Sequence, residues 1–544
     1  MKNHPCRFIV IFIGILTATQ ILSADDLLPV NRPIVEVIDH YVAQKLSAAK
    51  VRPAPRADDA TLVRRLYLDL AGRIPTPVEA RDYVESKDAK KHEKLVEHLL
   101  ASPEFVRHNA NEFDALLAND NAEAGSVRAY LLEAFRENRA WDQMFQELVG
   151  GVEKSRSANN PEKYVSNRLK DRDSLTRDIS SVFFGLNITC AQCHKHPYIS
   201  SLTQDYFFGM REFFATSYEI QGNLVERKFV KVADFKAKSG KTVPIKMMFL
   251  DGSVVERETE KTAELDKAIA EETKAIQQFT KNFAKTKELP PVPPLRARAK
   301  LAEVALSEKN RDRFAQAIVN RLWYRFYGHG LVMRVDQLHA KNPASHPELL
   351  SWLARDLISH RYDLKRLIAG LVSSETYARS STWPDYTMPA RELFAVAHLR
   401  PLTPMQWSMS FGLANNPTLL KSGQNVEARE KALAGLEKSA QGMAKLFEYP
   451  REGMQISTGE AMWLSNDPGI QKSIGSGLVP SLMKIKDRKE QITEAVWTVL
   501  SRPARESELE LFDNYLEKRK ERPASALQHV LWAMINGAEF RFNH

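Results

Sequence analysis

The residues of this chain that are best suited to chemistry lie together in one short segment. It reads Cys190-Ala191-Gln192-Cys193-His194, so two thiols stand three positions apart and a histidine follows the second. A short helical turn brings residues at this spacing to one face, where both thiols can reach two vinyl groups on one side of a porphyrin. The segment therefore predicts covalent attachment of haem c through Cys190 and Cys193, with His194 as an axial iron ligand.

Three other interpretations of this segment are open. Cys190 and Cys193 can form a disulfide in an oxidising compartment. They can form a thiol–disulfide redox site, although such motifs usually begin a helix in a βαβ unit. Zinc can be bound by Cys190, Cys193, His194 and His196, although four ligands within seven residues leave little room for a tetrahedron. With a disulfide and no cofactor, or with a zinc clip, the chain would be a non-enzymatic helical scaffold or interaction protein.

The sequence offers several candidates for a second axial iron ligand. Met210 lies in the next expected helix, and His98 and His108 lie in earlier ones. His196 is two residues from His194 and cannot easily reach the opposite face of the iron, so we expect it to shape the turn. An iron without a sixth ligand leaves a position open to a small molecule. With such an open position the chain could be a haem-dependent oxidoreductase, which is a further alternative.

The N-terminus has the pattern of a secretory signal peptide. Basic residues precede an apolar run over residues 8–22, and the small residues Ser23 and Ala24 follow. We therefore predict a signal peptide over residues 1–24 and a periplasmic or secreted protein, with an uncleaved membrane anchor as the alternative. No later stretch is apolar enough over ~20 residues to cross a membrane. Export and the cysteine motif support each other, because c-type haem is attached outside the cytoplasm.

Composition describes a globular protein and excludes several function classes. The chain has 544 residues, of which 43% are hydrophobic, and its net charge of +9 is modest for that length. It has no dense Lys/Arg tract, so we expect no nucleic-acid partner. It also lacks a glycine-rich phosphate loop, a nucleophile elbow and a His-Glu-x-x-His metal motif. The expected partner is a separate redox protein or a membrane-associated electron carrier, and whether any substrate is turned over stays open.

Hydrophobic periodicity predicts a mainly α fold with two helical domains. We expect an N-terminal helical domain with the cysteine motif over residues 25–216. A small insert over residues 217–296 should hold a β-hairpin, a charged helix and a proline-rich linker. A C-terminal helical domain should follow over residues 297–544.

Individual elements follow from the same patterns. Strands are expected at 229–232, 243–250 and 254–255, with Asp251-Gly252 as a hairpin turn. Thr76 and Ser345 each precede a glutamate by three positions, which predicts two capping boxes, and Thr403 should begin a further helix. Helices are expected over residues 60–71, 95–100, 105–117, 127–135, 141–149, 175–185, 204–214, 261–288, 311–326, 349–358, 363–373, 427–446, 488–501, 505–519 and 525–540.

Several longer motifs resemble a known family. The chain is similar to secreted planctomycete-type proteins built from two linked domains of unknown function, often fused to a cytochrome c-like domain. The resemblance covers nearly all of the chain after residue 24 except residues 220–300. In the first half it is carried by residues 62–72 (LVRRLYLDLAG), 75–77, 99–103 and 190–197 (CAQCHKHP), and in the second half by 313–323, 328–332, 342–350, 362–365, 531–540 and 543–544.

The resemblance implies little about activity, because the family has no settled one. It implies a C-x-x-C-H motif inside the first domain and a link to cytochromes. This chain departs from the pattern in lacking the additional cytochrome-like domain at the N-terminus, so any electron partner should be a separate protein. Residues 105–117 are also poorer in tryptophan than the resemblance implies, which puts any role of that helix in doubt.

Overall fold

The structure is a computed structural model in which most of the chain is described, and its fold is mainly α, as the periodicity predicts. The expected signal peptide at residues 1–24 lies outside the described part. Among the described residues, no helix is both long and apolar enough to span a bilayer. The described residues are 27–121, 125–151, 159–231, 233–236, 240–257, 263–421, 423–450, 459, 462–463 and 466–544.

Helices make up nearly all regular structure before residue 217. Two π-helical turns, Tyr67–Ala71 and Gln146–Gly150, continue α2 and α7, and a 3₁₀ turn, Thr189–Gln192, follows α9. The helices are α1 (Ile34–Ala49), α2 (Asp59–Leu66), α3 (Pro77–Glu85), α4 (Lys91–Leu100), α5 (Pro103–Ala118), α6 (Arg128–Arg136), α7 (Trp141–Phe145), α8 (Lys163–Ser166), α9 (Arg172–Phe184) and α10 (Gln204–Glu212).

The insert contains short hairpins and one long helix. Each hairpin is an antiparallel pair, β1 with β2, β3 with β4 and β5 with β6. The Asp251-Gly252 turn is confirmed between β5 and β6, where Gly252 has φ +85°. The elements are β1 (Ser217–Ile220), β2 (Asn223–Glu226), β3 (Asp234–Lys236), β4 (Thr242–Pro244), β5 (Met247–Met248), β6 (Val254–Val255) and α11 (Ala263–Thr286).

The prediction of a strand at residues 229–232 is wrong for residues 229–231, which form no strand. Residue 232 lies outside the described residues. The backbone N–H groups of Lys228 and Phe229 donate to the Glu272 carboxylate on α11, over 2.6 and 3.0 Å. These groups would otherwise be available to a neighbouring strand. A side chain on the charged helix thus replaces the strand partner that the apolar pattern implied.

The second half of the chain is again helical. A 3₁₀ turn, Arg391–Leu393, precedes β7 (Arg400–Pro401), which pairs antiparallel with β8 (Phe542–Asn543). The helices are α12 (Ala297–Ala305), α13 (Arg311–Tyr327), α14 (Pro347–Ser359), α15 (Leu364–Ser373), α16 (Pro404–Asn415), α17 (Val426–Ala444), α18 (Pro468–Ser476), α19 (Leu478–Leu482), α20 (Arg488–Leu500), α21 (Glu506–Glu517), α22 (Pro523–Asn536) and α23 (Ala538–Arg541).

Two of the expected helix starts are confirmed and one is wrong. Thr76 begins α3 and Thr403 begins α16, each with a reciprocal capping box. Ser345 does not cap α14, whose N-cap position is taken by His346 without a side-chain cap. The Ser345 hydroxyl instead lies 3.0 Å from Nδ1 of His346, and the backbone N–H of Ser345 donates to the Leu331 carbonyl. The serine is therefore held one position too early to cap the helix.

The larger hydrophobic core joins residues from both sides of the insert. Trp141 stacks on Phe183 of α9 and on Phe314 of α13, with ring centroids 5.4 and 6.2 Å apart. A smaller core is formed mostly by residues 402–540, and Leu68 and Ile74 from the first half complete it. Helices before and after the insert therefore bury each other's apolar faces. The domain boundaries at residues 216 and 296 stay a prediction.

Candidate functional site

The cysteine motif forms one tight turn after α9. The carbonyl of Cys190 accepts hydrogen bonds from the N–H groups of Cys193, over 3.3 Å, and His194, over 3.1 Å. These bonds close the turn. Both cysteines are free thiols, with Cys190 half-buried and Cys193 exposed. The two thiols and the imidazole thus belong to one turn of the backbone.

The ring of His194 is exposed, and a hydrogen bond sets its tautomer. Nδ1 lies 2.8 Å from the carbonyl oxygen of Lys195. A carbonyl only accepts hydrogen bonds, so Nδ1 is the donor, and in the neutral ring the lone pair is then on Nε2. A metal-binding histidine is commonly oriented through its second nitrogen in this way. Nε2 is therefore the atom of His194 that could bind a metal ion.

Gln192, inside the motif, anchors the turn to the helices on either side. Its amide oxygen accepts from Arg177 of α9 over 2.9 Å, and its amide nitrogen donates to Asp173 of the same helix over 2.9 Å. Its carbonyl accepts from Gln204 of α10 over 3.2 Å. The turn is thereby held against both helices.

His196 organises the loop that follows. Its Nδ1 accepts hydrogen bonds from the N–H groups of Tyr198 and Ile199, over 3.3 and 3.1 Å. Burial lowers the pKa of His196, and a hydrogen bond with the backbone of Asn187 opposes that shift. Both ring nitrogens thus have backbone partners, which removes His196 from the expected zinc ligand set of Cys190, Cys193, His194 and His196. Across the described residues, no three His, Cys, Asp or Glu side chains are arranged to hold a metal ion.

A segment from the second half of the chain supports the approach to the motif. The backbone N–H of Asn187 donates to the carbonyl of Asp336 over 2.8 Å, and its side chain donates to the Asp336 carboxylate over 3.1 Å. Leu338 donates its N–H to the carbonyl of Gly185 over 2.9 Å. Gly185 ends α9 with φ +58°, and a Cβ there would lie 2.4 Å from Cδ1 of Leu338. Only glycine combines that backbone angle with so close a contact.

The same segment places a histidine beside the motif that sequence reasoning missed. The ring of His339 stacks on Tyr198, with centroids 5.7 Å apart and planes 15° apart, and its edge meets His196 at 6.2 Å. Nδ1 of His339 is buried and has no hydrogen-bond partner among the described residues. More than 140 residues separate His339 from His194 in the chain, and no local pattern could have connected them.

The expected second-ligand candidates lie in different surroundings. Met210 is fully buried on α10, within the larger core. His108 is buried on α5 against Gly72, and burial together with Arg325 lowers its pKa well below the ordinary value. Within the described residues His108 makes no hydrogen bond or ion pair with residues 189–199. His98 is exposed on α4.

The residues of the turn fit a covalently attached haem. Two free thiols at the required spacing can hold the porphyrin, and an exposed Nε2 with a lone pair can ligate its iron. This fit is one of donor chemistry. The same residues also satisfy the requirement that iron-binding histidine has its second nitrogen engaged, here by the carbonyl of Lys195.

Comparison with known families matches two domains to this chain. Residues 37–219 match PSCyt2, described as a protein of unknown function (DUF1549), and residues 297–516 match PSD1, described as a protein of unknown function (DUF1553). The chain carries both domains of unknown function. No curated protein and no solved structure matches the chain. The cysteine motif lies in the DUF1549 match, whereas Asp336, Leu338 and His339 lie in the DUF1553 match. The support beneath the motif is therefore a contact between the two matched parts.

Proposed function

We propose that this chain is an exported c-type haem protein that transfers electrons to a separate redox protein or a membrane-associated carrier. The observation that carries the proposal is the hydrogen bond from Nδ1 of His194 to the Lys195 carbonyl, over 2.8 Å. It leaves Nε2 of an exposed imidazole available next to two free thiols. Export is part of the proposal and rests on the pattern of residues 1–24.

Each residue of the turn has a defined part in this proposal. Cys190 and Cys193 would hold the haem through thioether bonds, and His194 would ligate the iron through Nε2. The bound haem would supply a centre that takes up and releases one electron. Gln192 would keep the turn fixed through its bonds to Arg177 and Asp173. A fixed turn lowers the structural change that accompanies a change in charge at the iron.

Exposure of the turn supports transfer to a partner protein. Cys193 and His194 are exposed, and Tyr198 is 56% exposed. These exposed residues would hold the haem where a second redox protein can approach them. A haem-dependent oxidoreductase remains the second candidate, and it requires an iron position open to a small molecule.

A ligand substitution tests the proposal directly. The protein should be exported in a host that carries the maturation machinery for c-type haem, as wild type, His194→Ala and His40→Ala. His40 is an exposed histidine on α1 and serves as the matched control. We expect His194→Ala to keep the covalent haem and to change the visible spectrum towards a high-spin form, whereas His40→Ala matches wild type. An unchanged spectrum in His194→Ala would contradict the assigned ligand.

Carbon monoxide binding separates the two candidate functions. A six-coordinate, low-spin wild-type spectrum that does not respond to carbon monoxide supports electron transfer. A rapid spectral shift with carbon monoxide supports the oxidoreductase, because the gas binds only where the iron has a free position. Protein without haem, together with bound zinc or a Cys190–Cys193 disulfide in the intact mass, would support the scaffold alternative.

A further inference from the structure

A large cavity lies between the two matched parts of the chain, away from the cysteine turn. Its volume is about 1270 Å³, above the range of ~300–1,000 Å³ that is usual for small-molecule sites. One face of α13 forms a wall, with Ile318, Arg321 and Arg325 at helical spacing, and Gly328 continues that wall at the helix end. The opposite walls include the 3₁₀ turn at Arg391 and residues close to β7 and β8.

Cationic side chains outnumber the acids around this cavity. Its arginines are Arg321, Arg325, Arg391, Arg400, Arg502 and Arg505. Its acids are Asp58, Asp69, Glu112 and Glu539. Asp69 pairs with Arg400 over 2.7 Å, and Glu539 pairs with Arg502 over 2.5 Å. These two acids are therefore neutralised by two of the arginines.

The other two acids are occupied by neutral partners. Asp58 caps α2 by accepting from the N–H of Thr61 over 2.7 Å. Glu112 accepts from the hydroxyls of Thr403 and Tyr449, over 3.1 and 2.6 Å. Neither makes an ion pair with an arginine of the cavity among the described residues.

Three guanidinium groups at the cavity hydrogen-bond only to neutral groups. Arg321 donates to the carbonyl of Ser181 over 2.7 Å, and Arg391 donates to the carbonyl of Gly328 over 3.1 Å. Arg325 donates to the Asn109 side chain over 2.8 Å. In the described part of the chain, no carboxylate lies within 4.0 Å of these three groups. Burial lowers the pKa of Arg321 to about 10, so it is still charged at neutral pH.

Their spacing defines the kind of ligand that could neutralise them. Arg321 and Arg325 are one helical turn apart, and Arg391 is bound to Gly328, seven positions beyond Arg321. Seven residues of α-helix span roughly 10 Å, so the three arginines are anchored along a stretch of about that length. Arginine forks pair strongly with carboxylate, sulfate and phosphate groups. Apolar side chains, including Ile318, Leu322 and Met333, line the space between the charges.

We propose that this cavity binds an organic polyanion that carries at least two carboxylate, sulfate or phosphate groups. Arg321, Arg325 and Arg391 contact its oxyanions, and the apolar wall contacts its carbon body. Two histidines lie beside them. Burial lowers the pKa of His329 and lowers that of His398 to about 4, and Nε2 of His398 already donates to the Arg391 carbonyl over 3.0 Å. This assignment does not depend on haem, although Met333 and Val335 of the cavity wall lie just before Asp336, which holds Asn187.

Calorimetric titration of the full purified chain tests the assignment. The probes are benzene-1,3,5-tricarboxylate, inositol hexakisphosphate and the hexasulfate of inositol, with neutral inositol as the reference. We expect saturable binding of one molecule per chain for at least one polyanion and no binding of inositol. The tightest probe then identifies which oxyanion the cavity prefers. The proposal would be overturned if none of the three polyanions bound with a stoichiometry of one molecule per chain.

Charge-matched variants separate the cavity from the general positive charge of the protein. Arg391→Gln should weaken binding of the tightest probe at least tenfold, and so should Arg325→Gln. Arg391 is exposed and bonds only to a backbone carbonyl, so its variant stays informative even if Arg325→Gln does not fold. Arg136→Gln on α6 removes an exposed charge outside the cavity and should bind like wild type. Equal losses in Arg136→Gln and Arg391→Gln would overturn the proposal.

Discussion

Arg400 donates one hydrogen bond to each carboxylate oxygen of Asp69, and both bonds are 2.7 Å long. The same carboxylate also accepts from the hydroxyl of Tyr377 over 2.7 Å and from the side chain of Asn543 over 3.0 Å. Asp69 lies in the DUF1549 match and Arg400 in the DUF1553 match. One buried acid in the first half thus collects donors from three separate places in the second half.

Asp69→Asn should destabilise the protein by about 3–5 kcal/mol, because it leaves the Arg400 guanidinium without its counter-charge in a buried position. The side-chain amide of the new asparagine would also place an N–H donor at a position where two donors already point at one oxygen of Asp69. The control is Glu36→Gln, which breaks the exposed Arg32–Glu36 pair and should cost less than about 1 kcal/mol. Urea unfolding followed by circular dichroism measures both. Equal stability of the two variants would show that the buried pair does not hold the halves together.

Glu79 should make the stability depend on pH in the acid range. Burial raises its pKa, but the charge and two hydrogen bonds of Arg73 outweigh burial, and the pKa falls from 4.5 to about 2. Above pH 4.5 the carboxylate is charged in both states, and its stabilisation is fully present. As the pH falls from 4.5 towards 2 the unfolded state takes up the proton first, so about 3 kcal/mol of stability is lost.

Glu79→Gln should therefore flatten the fall in stability between pH 4.5 and 2 and lower the stability at pH 7. Glu85→Gln changes an exposed acid of the same helix and is the control, with a wild-type profile expected. Thermal unfolding at a series of pH values gives the comparison. A wild-type slope in Glu79→Gln would place the acid sensitivity elsewhere.

Substitution of glycine by alanine should have opposite effects at two positions. Gly185→Ala places a Cβ 2.4 Å from Leu338 in a left-handed conformation, so we expect a loss of at least about 1–2 kcal/mol. Gly435→Ala lies in α17, where nothing is within 4 Å of the new atom, and should stabilise by about 0.5–1 kcal/mol. Unfolding midpoints of the two variants provide the measurement. A neutral Gly185→Ala would mean that Leu338 can move away without cost.

Met210→Leu should leave the visible spectrum of the haem protein unchanged in both oxidation states. The side chain of Met210 is fully buried in the larger core, which gives it a packing role. Leucine nearly conserves its volume, so the variant should fold with a cost below about 1.5 kcal/mol. Oxidised and reduced spectra of the variant are compared with wild type. A shift of the absorption bands would make Met210 an iron ligand.

Local chemistry explains which elements could be predicted. α9 follows from an amphipathic pattern that stops at Gly185, and α3 and α16 begin at threonines that are followed by a capping partner. The hairpin of β1 and β2 escaped prediction because its turn is Gln221-Gly222, with φ of 49° and 84°. Such turns usually have asparagine or aspartate before the glycine. Glutamine in that conformation is uncommon, so the sequence contains no recognisable turn signal.

The candidate site also has one part that the sequence predicts and another that it does not. The turn from Cys190 to His194 is predictable because its chemistry depends on neighbouring residues alone. The contacts of Asn187 with Asp336 and of Tyr198 with His339 join residues more than 140 positions apart. Periodicity shows which face of an element is buried and contains no information on its partner. The arginine cavity was missed for the same reason, since its charges come from distant segments.

The intact mass of the exported protein, measured together with its visible absorption, tests the central claim most directly. Wild type expressed with the c-type maturation machinery should have the mass of the processed chain plus one haem and should show a Soret band. Cys190→Ser/Cys193→Ser should have the mass of the chain alone and no Soret band after denaturing purification. A wild-type mass equal to that of the bare polypeptide, with no absorption in the visible range, would contradict covalent haem at this turn.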